Sequence, residues 1–365
     1  MRTELAERRQ RLRSLLADHD IDVALIGPSA DLRYLTGYAA SPSERPLALL
    51  VPRDSAPILF VPELEAPEVA TTGLDLIPWK DGDDPYPLLA AQLRRLDARV
   101  IAVNDELWAA VLLSLQERLP ESRFLRVSPL VQSLRIVKSP FEIECLRQAV
   151  ARVDAAWARF CREASLIGHT EAQIARRVSE LLLAEGLEEV SFCIVASGPN
   201  AAAPHHHSSD RIVQPGDPVL IDIGGPYAGY FADMTRTVVA GSLRDPEFAV
   251  AYEAVLEAQQ AAFVAMRPGV PCEEVDRIAR GVLADHGLAE AFIHRLGHGL
   301  GLSVHEPPYL VHGNPQPLQP GMVVTDEPGV YLRDRWGIRI EDVVLITEHG
   351  AERLTTAPHE LLELP

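Results

Sequence analysis

Apolar and polar positions divide the chain into two textures. The opening stretch "MRTELAERRQRLRSLL" spaces its leucines at helical intervals and predicts an amphipathic helix near 3–18. Short apolar runs follow in "DVALIG", "PLALLVP", "PILFVPEL" and "RVIAVND", with helical patterns near 85–96 and 107–118. Alternating helices and strands of this kind predict an α/β layer domain over the first ~130 residues. The texture changes at "SLRIVKSPFEIECLRQAV". Ser139 and Glu142 have the spacing of a capping box, and Pro140 suits the first helical position. A long helix to about Ile167 is expected. A second starts with the boxed pair Thr170 and Gln173 and stops at Gly186, and two more cover about 245–266 and 272–285. Strands are expected at 191–196, 219–224, 230–239, 322–327 and 338–346. The boundary is placed near residue 133, giving domains 1–133 and 134–365.

Two of the predicted strands carry charges where apolar residues are expected. In "VLIDIGGPYAGYFADMTRTVV", Asp222 and Asp233 stand eleven residues apart in apolar runs. With a turn centred between Tyr227 and Ala228 the two carboxylates would face each other directly across a hairpin. Like charges so placed destabilise a sheet, and burial adds to the cost. A cation between them removes both penalties. The plainer alternative makes one a turn cap and the other an edge-strand charge. "QPGDPVLID" and "QPGMVVTDE" echo each other, each placing an acid eight residues after the Gln, with a further acid on the next strand. That points either to shared turn chemistry or to a duplicated hairpin giving two carboxylates per copy to one centre.

Composition narrows the function classes. The 365 residues are 47% apolar and 24% charged, which is ordinary for a soluble globular protein, and the length favours two domains. The net charge of −18 opposes nucleic-acid and anionic-membrane binding. The N-terminus has no apolar core of a signal peptide, so a cytoplasmic protein is expected. Cys145, Cys161, Cys193 and Cys272 form no metal spacing and read as reduced thiols.

Chemistry concentrates in the second half. "HRLGHGLGLSVHEPP" threads His294, His298 and His305 with glycines that permit close backbone approach to a ligand. Glu327 precedes Pro328, which holds it extended. On one strand Arg339, Glu341, Val343 and Leu345 would share a face, so Arg339 and Glu341 are expected to point inward together, either as a ligand and its neighbour or as an internal ion pair. Four acids and one imidazole suit two divalent ions about 3.5–4 Å apart, with a bridging hydroxide as nucleophile. Oxygen-rich ligation favours Mn, while Co or Zn would also fit.

These residues resemble the metallopeptidase family of prolidase, aminopeptidase P and methionine aminopeptidase over the C-terminal ~230 residues. The resemblance implies an α+β protein in which a pita-bread (creatinase/aminopeptidase) domain follows a smaller α/β creatinase-type N-terminal domain. The family's D, D, H, E, E ligand pattern falls on Asp222, Asp233, His298, Glu327 and Glu341. By that resemblance Asp222 binds one ion bidentately, Asp233 and Glu341 bridge, and His298 and Glu327 complete the other shell. "SGPNAAAPHHHSSDR" is similar to the family's SGPN…PH…D segment and puts His205 at the substrate-binding, proton-shuttling position, with His206 and His207 as bystanders. His305 resembles the second active-site histidine, which stabilises the oxyanion. His294 resembles one lining the pocket, Arg339 the arginine that orients the bridging glutamate, and Glu327 the general base. The implied reaction is hydrolysis of an Xaa-Pro bond, on dipeptides as a prolidase does or on longer peptides as aminopeptidase P does. A homodimer is implied as well. Creatinase shares both domains but lacks the ligand set. A catalytically dead scaffold is a further alternative, which the complete set of five ligands disfavours.

Two positions depart from the family pattern. Asp326 replaces an apolar residue before the metal Glu and is expected to face solvent. In "HEPPYL", Tyr309 stands where many prolidases carry the arginine that clamps a dipeptide's free carboxylate, and no Lys or Arg follows until Arg333. Either longer peptides are accepted or another arginine serves. Arg45, in the loop "SPSERPLALL", is a candidate for that clamp if the loop caps the site, and otherwise faces solvent.

Overall fold

The computed structural model describes residues 2–365 and divides into two compact units, Met1–Arg135 and Ile136–Pro365. In the first unit the chain runs α1 (Arg2–Asp18), β1 (Val23–Ile26), α2 (Ala30–Thr36), β2 (Ala48–Pro52), β3 (Ile58–Pro62) and α3 (Ala66–Val69). It continues through β4 (Asp75–Trp79), α4 (Pro85–Arg95), β5 (Val100–Val103), α5 (Ala109–Arg118), β6 (Arg123–Arg126) and α6 (Ser128–Arg135). The strands form one mixed sheet in the order β4-β3-β2-β1-β5-β6. Strands β1, β5 and β6 run parallel, as the intervening α4 and α5 require. Val23, Leu25, Leu50, Phe60 and Ile101 are buried at the core of this unit.

The second unit holds α7 (Pro140–Glu163), α8 (Glu171–Ala184), β7 (Phe192–Ser197), β8 (Pro218–Tyr227), β9 (Tyr230–Ala240), α9 (Pro246–Ala265) and α10 (Cys272–Asp285). Shorter strands follow: β10 (Gly297–Gly299), β11 (Glu306–Leu310), β12 (Val323–Asp326), β13 (Gly329–Leu332), β14 (Trp336–Arg339), β15 (Asp342–Ile346), β16 (Ala351–Arg353) and β17 (Glu363–Leu364). Both capping boxes form. Ser139 Oγ accepts from Glu142 N while Glu142 Oε2 accepts from Ser139 N, and Thr170 and Gln173 repeat the arrangement. Along α9, Phe248, Tyr252, Val255, Ala258 and Ala262 recur at three- and four-residue steps and are all buried. Each large apolar side chain so covered contributes about 1.5–3 kcal/mol relative to exposure.

Two hairpin-bearing sheets lie behind the helix pairs, β17-β9-β8-β7 and β11-β10-β12-β15-β16. The repeated QPG is the same turn used twice. In each copy the glycine has positive φ, 90° at Gly216 and 86° at Gly321, and the residue after it donates to the glutamine carbonyl. Proline at the second position and a positive-φ glycine at the third mark a type II turn. Each turn then closes on the end of a neighbouring strand in the same way. Gly216 N donates to Ala240 O and Gly321 N to Ile346 O, while Ala240 N returns to Asp217 O and Ile346 N to Met322 O.

Three expectations are corrected here. The β8–β9 turn is Ala228–Gly229, with φ of 50° and 80°, so Asp233 pairs with Gly224 and Asp222 with Thr235. Asp222 and Asp233 are therefore diagonal neighbours on one face, not opposite each other. A positive φ at an alanine is uncommon, so the sequence points to a turn one residue earlier than the one that forms. The strand expected over 338–346 is broken. β14 pairs with β13, β15 pairs with β12, and Ile340–Glu341 carries the chain from one sheet to the other. Asp326 does not face solvent, being 0% exposed on β12 directly opposite Asp342. No helix among the described residues is long and apolar enough to cross a membrane.

Candidate metal centre

A cavity of about 600 Å³ opens in the second unit. Its walls include Asp222, Asp233, His298, Glu327 and Glu341, contributed by β8, β9, β10, the end of β12 and the β14–β15 link. His205, His294, His305 and Arg339 face the same space. The sequence reading thus gathered nine residues that the fold brings to one place. Tyr309 lies on β11 across from His298, and the Arg295 guanidinium covers its ring at 4.4 Å. Arg45 lies in the first unit, where its Nη2 is 2.9 Å from Asp81 Oδ2 and its Nη1 2.7 Å from Glu44 Oε1.

Hydrogen bonds set four of the five clustered side chains, all but Asp233. His298 Nδ1 lies 3.0 Å from the Gly299 carbonyl, which leaves Nε2 as the ring nitrogen facing the cluster. That nitrogen is 3.2 Å from Glu327 Oε1 and 3.6 Å from Asp233 Oδ2. Single ligand atoms of Asp233, His298 and Glu341 all lie within 4.8 Å of one another. Thr325 Oγ1 accepts from His298 N and donates to Glu327 Oε1, tying β10 to β12. At Gly297 the two strands approach so closely that a Cβ would stand 2.0 Å from the Thr325 carbonyl oxygen.

Arg339 reaches Glu341 through a threonine. It pairs with Asp222, donates from Nε to Thr235 Oγ1 at 3.0 Å and from Nη1 to the Tyr331 hydroxyl at 2.8 Å. Thr235 Oγ1 in turn donates to Glu341 Oε2, so Arg339 acts on Glu341 through Thr235. The Tyr331 hydroxyl lies 3.0 Å from His294 Nε2, and His294 Nδ1 lies 2.7 Å from the Arg295 carbonyl. Both nitrogens of His294 are therefore engaged within the protein. Sequence reasoning missed Thr235, Thr325 and Tyr331. The two threonines carried one signal, a Thr two residues from a candidate ligand on the same strand face.

The electrostatics test whether this set fits a cation. Burial and mutual repulsion push Asp233 and Glu341 well above the usual carboxylate range, and burial also raises Asp222 despite Arg339. Glu327 moves the other way, because His298 more than offsets its burial. Asp222 Oδ1 is buried without a hydrogen-bond partner. Buried acids this close, with an orphaned oxygen among them, would have to take up protons unless positive charge joins them. The donor set fits divalent cations. The outer histidine His305, edge-on to His298 at 4.2 Å, is lowered to about 4 by burial and then by His298 and Arg295.

His205 owes its place to a residue outside the cavity. Glu171, the first residue of α8, is fully buried and gathers the whole "SGPN…SSD" segment. Its Oε1 accepts from Ser197 N and Oγ at 2.7 Å, its Oε2 from Ser209 Oγ at 2.7 Å, and His206 Nε2 lies 2.8 Å away. His206 thus has a structural partner. Burial alone would raise Glu171, but the bonds from Ser209, Ser197 and His206 prevail and hold it at about 2. A carboxyl depressed below its unfolded value stabilises fully above about pH 4.5, and that stability is lost as pH falls towards 2. Glu171→Gln is expected to lower the stability by on the order of 3 kcal/mol at pH 7, with the difference from wild type shrinking below pH 4.5. Thermal melts of both proteins from pH 7 to pH 3 check this, and a pH-independent difference would contradict it.

Both units match families of known proteins. Residues 144–348 match the metallopeptidase family M24, and residues 8–137 match the creatinase/prolidase N-terminal domain. The chain is 45% identical over 355 residues to the "Probable dipeptidase PepE" of Mycobacterium bovis, covering 96% of this chain and 94% of that protein. It is 37% identical to the "Xaa-Pro dipeptidase" of Lactobacillus helveticus, covering 97% and 98%. The crystal structure of dipeptidase PepE from Mycobacterium ulcerans superposes with a TM-score of 0.92 at 42% identity, covering 100% of this chain and 99% of that one. Membership of that family implies a divalent metal. Matched over both units, with an acid-and-imidazole cavity in the second, the chain belongs to metallopeptidase family M24, and its fold is a creatinase-type N-terminal domain followed by a pita-bread domain.

Proposed function

We propose that the cavity is a dinuclear metal-dependent peptidase site that hydrolyses Xaa-Pro bonds, with dipeptides as the preferred substrates. The observation that carries this reading is the convergence of Asp222, Asp233, His298, Glu327 and Glu341 on one cavity. Relatives named Xaa-Pro dipeptidase supply the substrate class. In this reading those five residues hold two divalent ions, and residues 136–365 form the catalytic domain. Bound there, the ions would supply an activated water and polarise the scissile carbonyl. Mn suits a set of four carboxylates and one imidazole.

The protein's own groups do the rest. Glu327, kept ionised beside His298, accepts the proton of the attacking water at a carboxylate oxygen. His305 is held neutral, so one ring N–H can donate to the developing oxyanion without adding charge. His205, exposed at the cavity mouth, binds the substrate and can shuttle a proton to the leaving imino nitrogen. His294 fixes Tyr331, and through it Arg339. Phe192, Ile194 and Val304 give the cavity an apolar wall against which a proline ring can pack.

Longer Xaa-Pro peptides are the second reading, favoured by Tyr309 at the position of the usual carboxylate clamp. The test is turnover of an Xaa-Pro dipeptide beside a tripeptide with the same first two residues, with Mn added. We expect kcat/KM for the dipeptide to exceed that for the tripeptide at least about tenfold. Equal or better cleavage of the tripeptide overturns the dipeptidase assignment. Cleavage of neither overturns the Xaa-Pro reading.

A further inference from the structure

We infer that Arg295 is the group that binds the free carboxylate of a dipeptide substrate, taking the place of the arginine that Tyr309 replaces. The inference rests on the Xaa-Pro reading above and deepens it. Arg295 stands between His294 and Leu296, immediately before β10, and its side chain lines the same cavity as the candidate metal ligands. The guanidinium lies over the Tyr309 ring, 4.4 Å from the centroid, so the aromatic face holds the cation without consuming its hydrogen-bond donors.

The other arginines considered for this role are already engaged. Arg339 is tied to Asp222, Thr235 and Tyr331, and Arg45 to Asp81 and Glu44. Among the described residues Arg295 has no carboxylate partner. A guanidinium that faces a cavity, backed by an aromatic ring and lacking an anion, is built to accept one, and its planar fork matches a carboxylate. The same cavity holds the acids and His298 that would cleave the amide, and Phe192, Ile194 and Val304 give it an apolar wall. Arg295 would then meet the group that follows the proline ring. In a dipeptide that group is a carboxylate, and in a longer peptide it is a neutral amide. Sequence position hid this role, because Arg295 precedes Tyr309 by fourteen residues and joins it only through the β10–β11 pairing.

The test compares an Xaa-Pro dipeptide with its C-terminal amide, using wild type, Arg295→Ala, Arg295→Lys and Arg45→Ala. Metal content is measured on each protein. Wild type should cleave the acid with the lower KM. Arg295→Ala should raise KM for the acid on the order of ten- to a hundred-fold, with metal content kept and the amide little affected. Arg295→Lys should recover part of the loss. Calorimetric binding of a non-hydrolysable dipeptide analogue should weaken by the same factor, which separates binding from turnover. Equal loss for acid and amide would make Arg295 structural and overturn the inference. So would an unchanged KM for the acid, or a loss confined to Arg45→Ala. If wild type cleaves neither substrate, it is the Xaa-Pro reading that fails.

Discussion

Asp233→Asn is expected to abolish peptidase activity and metal loading while leaving the metal-free protein at least as stable as the wild type. The carboxyl is 5% exposed and shares the cavity with Asp222, Glu327 and Glu341. Burial first, then the Asp222 charge, pushes it well above the usual carboxylate range. Its setting therefore penalises the charged form when no cation is present, and asparagine replaces the carboxyl with a neutral group of the same shape. With a cation the substitution removes a negative ligand from the group that also contains His298 and Glu341. We expect kcat/KM to fall by about three orders of magnitude or more. Elemental analysis should show lost metal, and calorimetry should give an unchanged or higher Tm for the metal-free variant. A metal-free Asp233→Asn protein that unfolds well below wild type would mean that the carboxylate serves the fold.

Asp342→Ala should have the opposite signature, a large loss of stability that carries activity with it. Asp342 is 0% exposed and anchors a polar cluster beneath the cavity. Its Oδ1 accepts from Arg236 Nη2 at 2.8 Å and its Oδ2 from Gln259 Nε2 at 2.8 Å, while His359 Nε2 lies 2.7 Å away. Burial alone would raise its carboxyl, but Arg236 and His359 hold it below its ordinary value. Arg236, only 1% exposed, also donates to the Thr235 and Glu341 carbonyls at 2.9 and 2.7 Å. Removing Asp342 leaves that guanidinium buried without its counter-ion, at a cost of about 3–5 kcal/mol. It also loosens the backbone that sets Thr235 and Glu341. A fall of roughly 10 °C in Tm is expected, with Asp342→Asn intermediate. A shift of less than about 2 °C would show that Arg236 finds other partners.

Much of the cavity was legible because its chemistry conflicts with its setting. Asp222 and Asp233 in apolar strands, and three histidines among glycines, are hard to explain as ordinary core or surface. The capping boxes at Ser139 and Thr170 were legible because they need only a local spacing. What escaped depended on long-range pairing. Ala228 adopts a left-handed conformation that its side chain disfavours, which shifts the β8–β9 register by one turn position. Asp326 looked like a surface charge, yet β12–β15 pairing buries it opposite Asp342. Burial and that neighbour push it well above the carboxylate range, whereas Asp342, equally buried, is lowered by Arg236 and His359. Arg295 and Tyr309 meet across two strands, and nothing in either local sequence reveals it.

The centre itself is tested most directly by anomalous diffraction from crystals of the protein loaded with Mn. Two anomalous peaks about 3.5–4 Å apart are expected in the cavity, with Asp222, Asp233, His298, Glu327 and Glu341 as the protein ligands. A single peak would contradict a dinuclear site, and a metal bound elsewhere, with the five side chains left unliganded, would contradict the centre altogether.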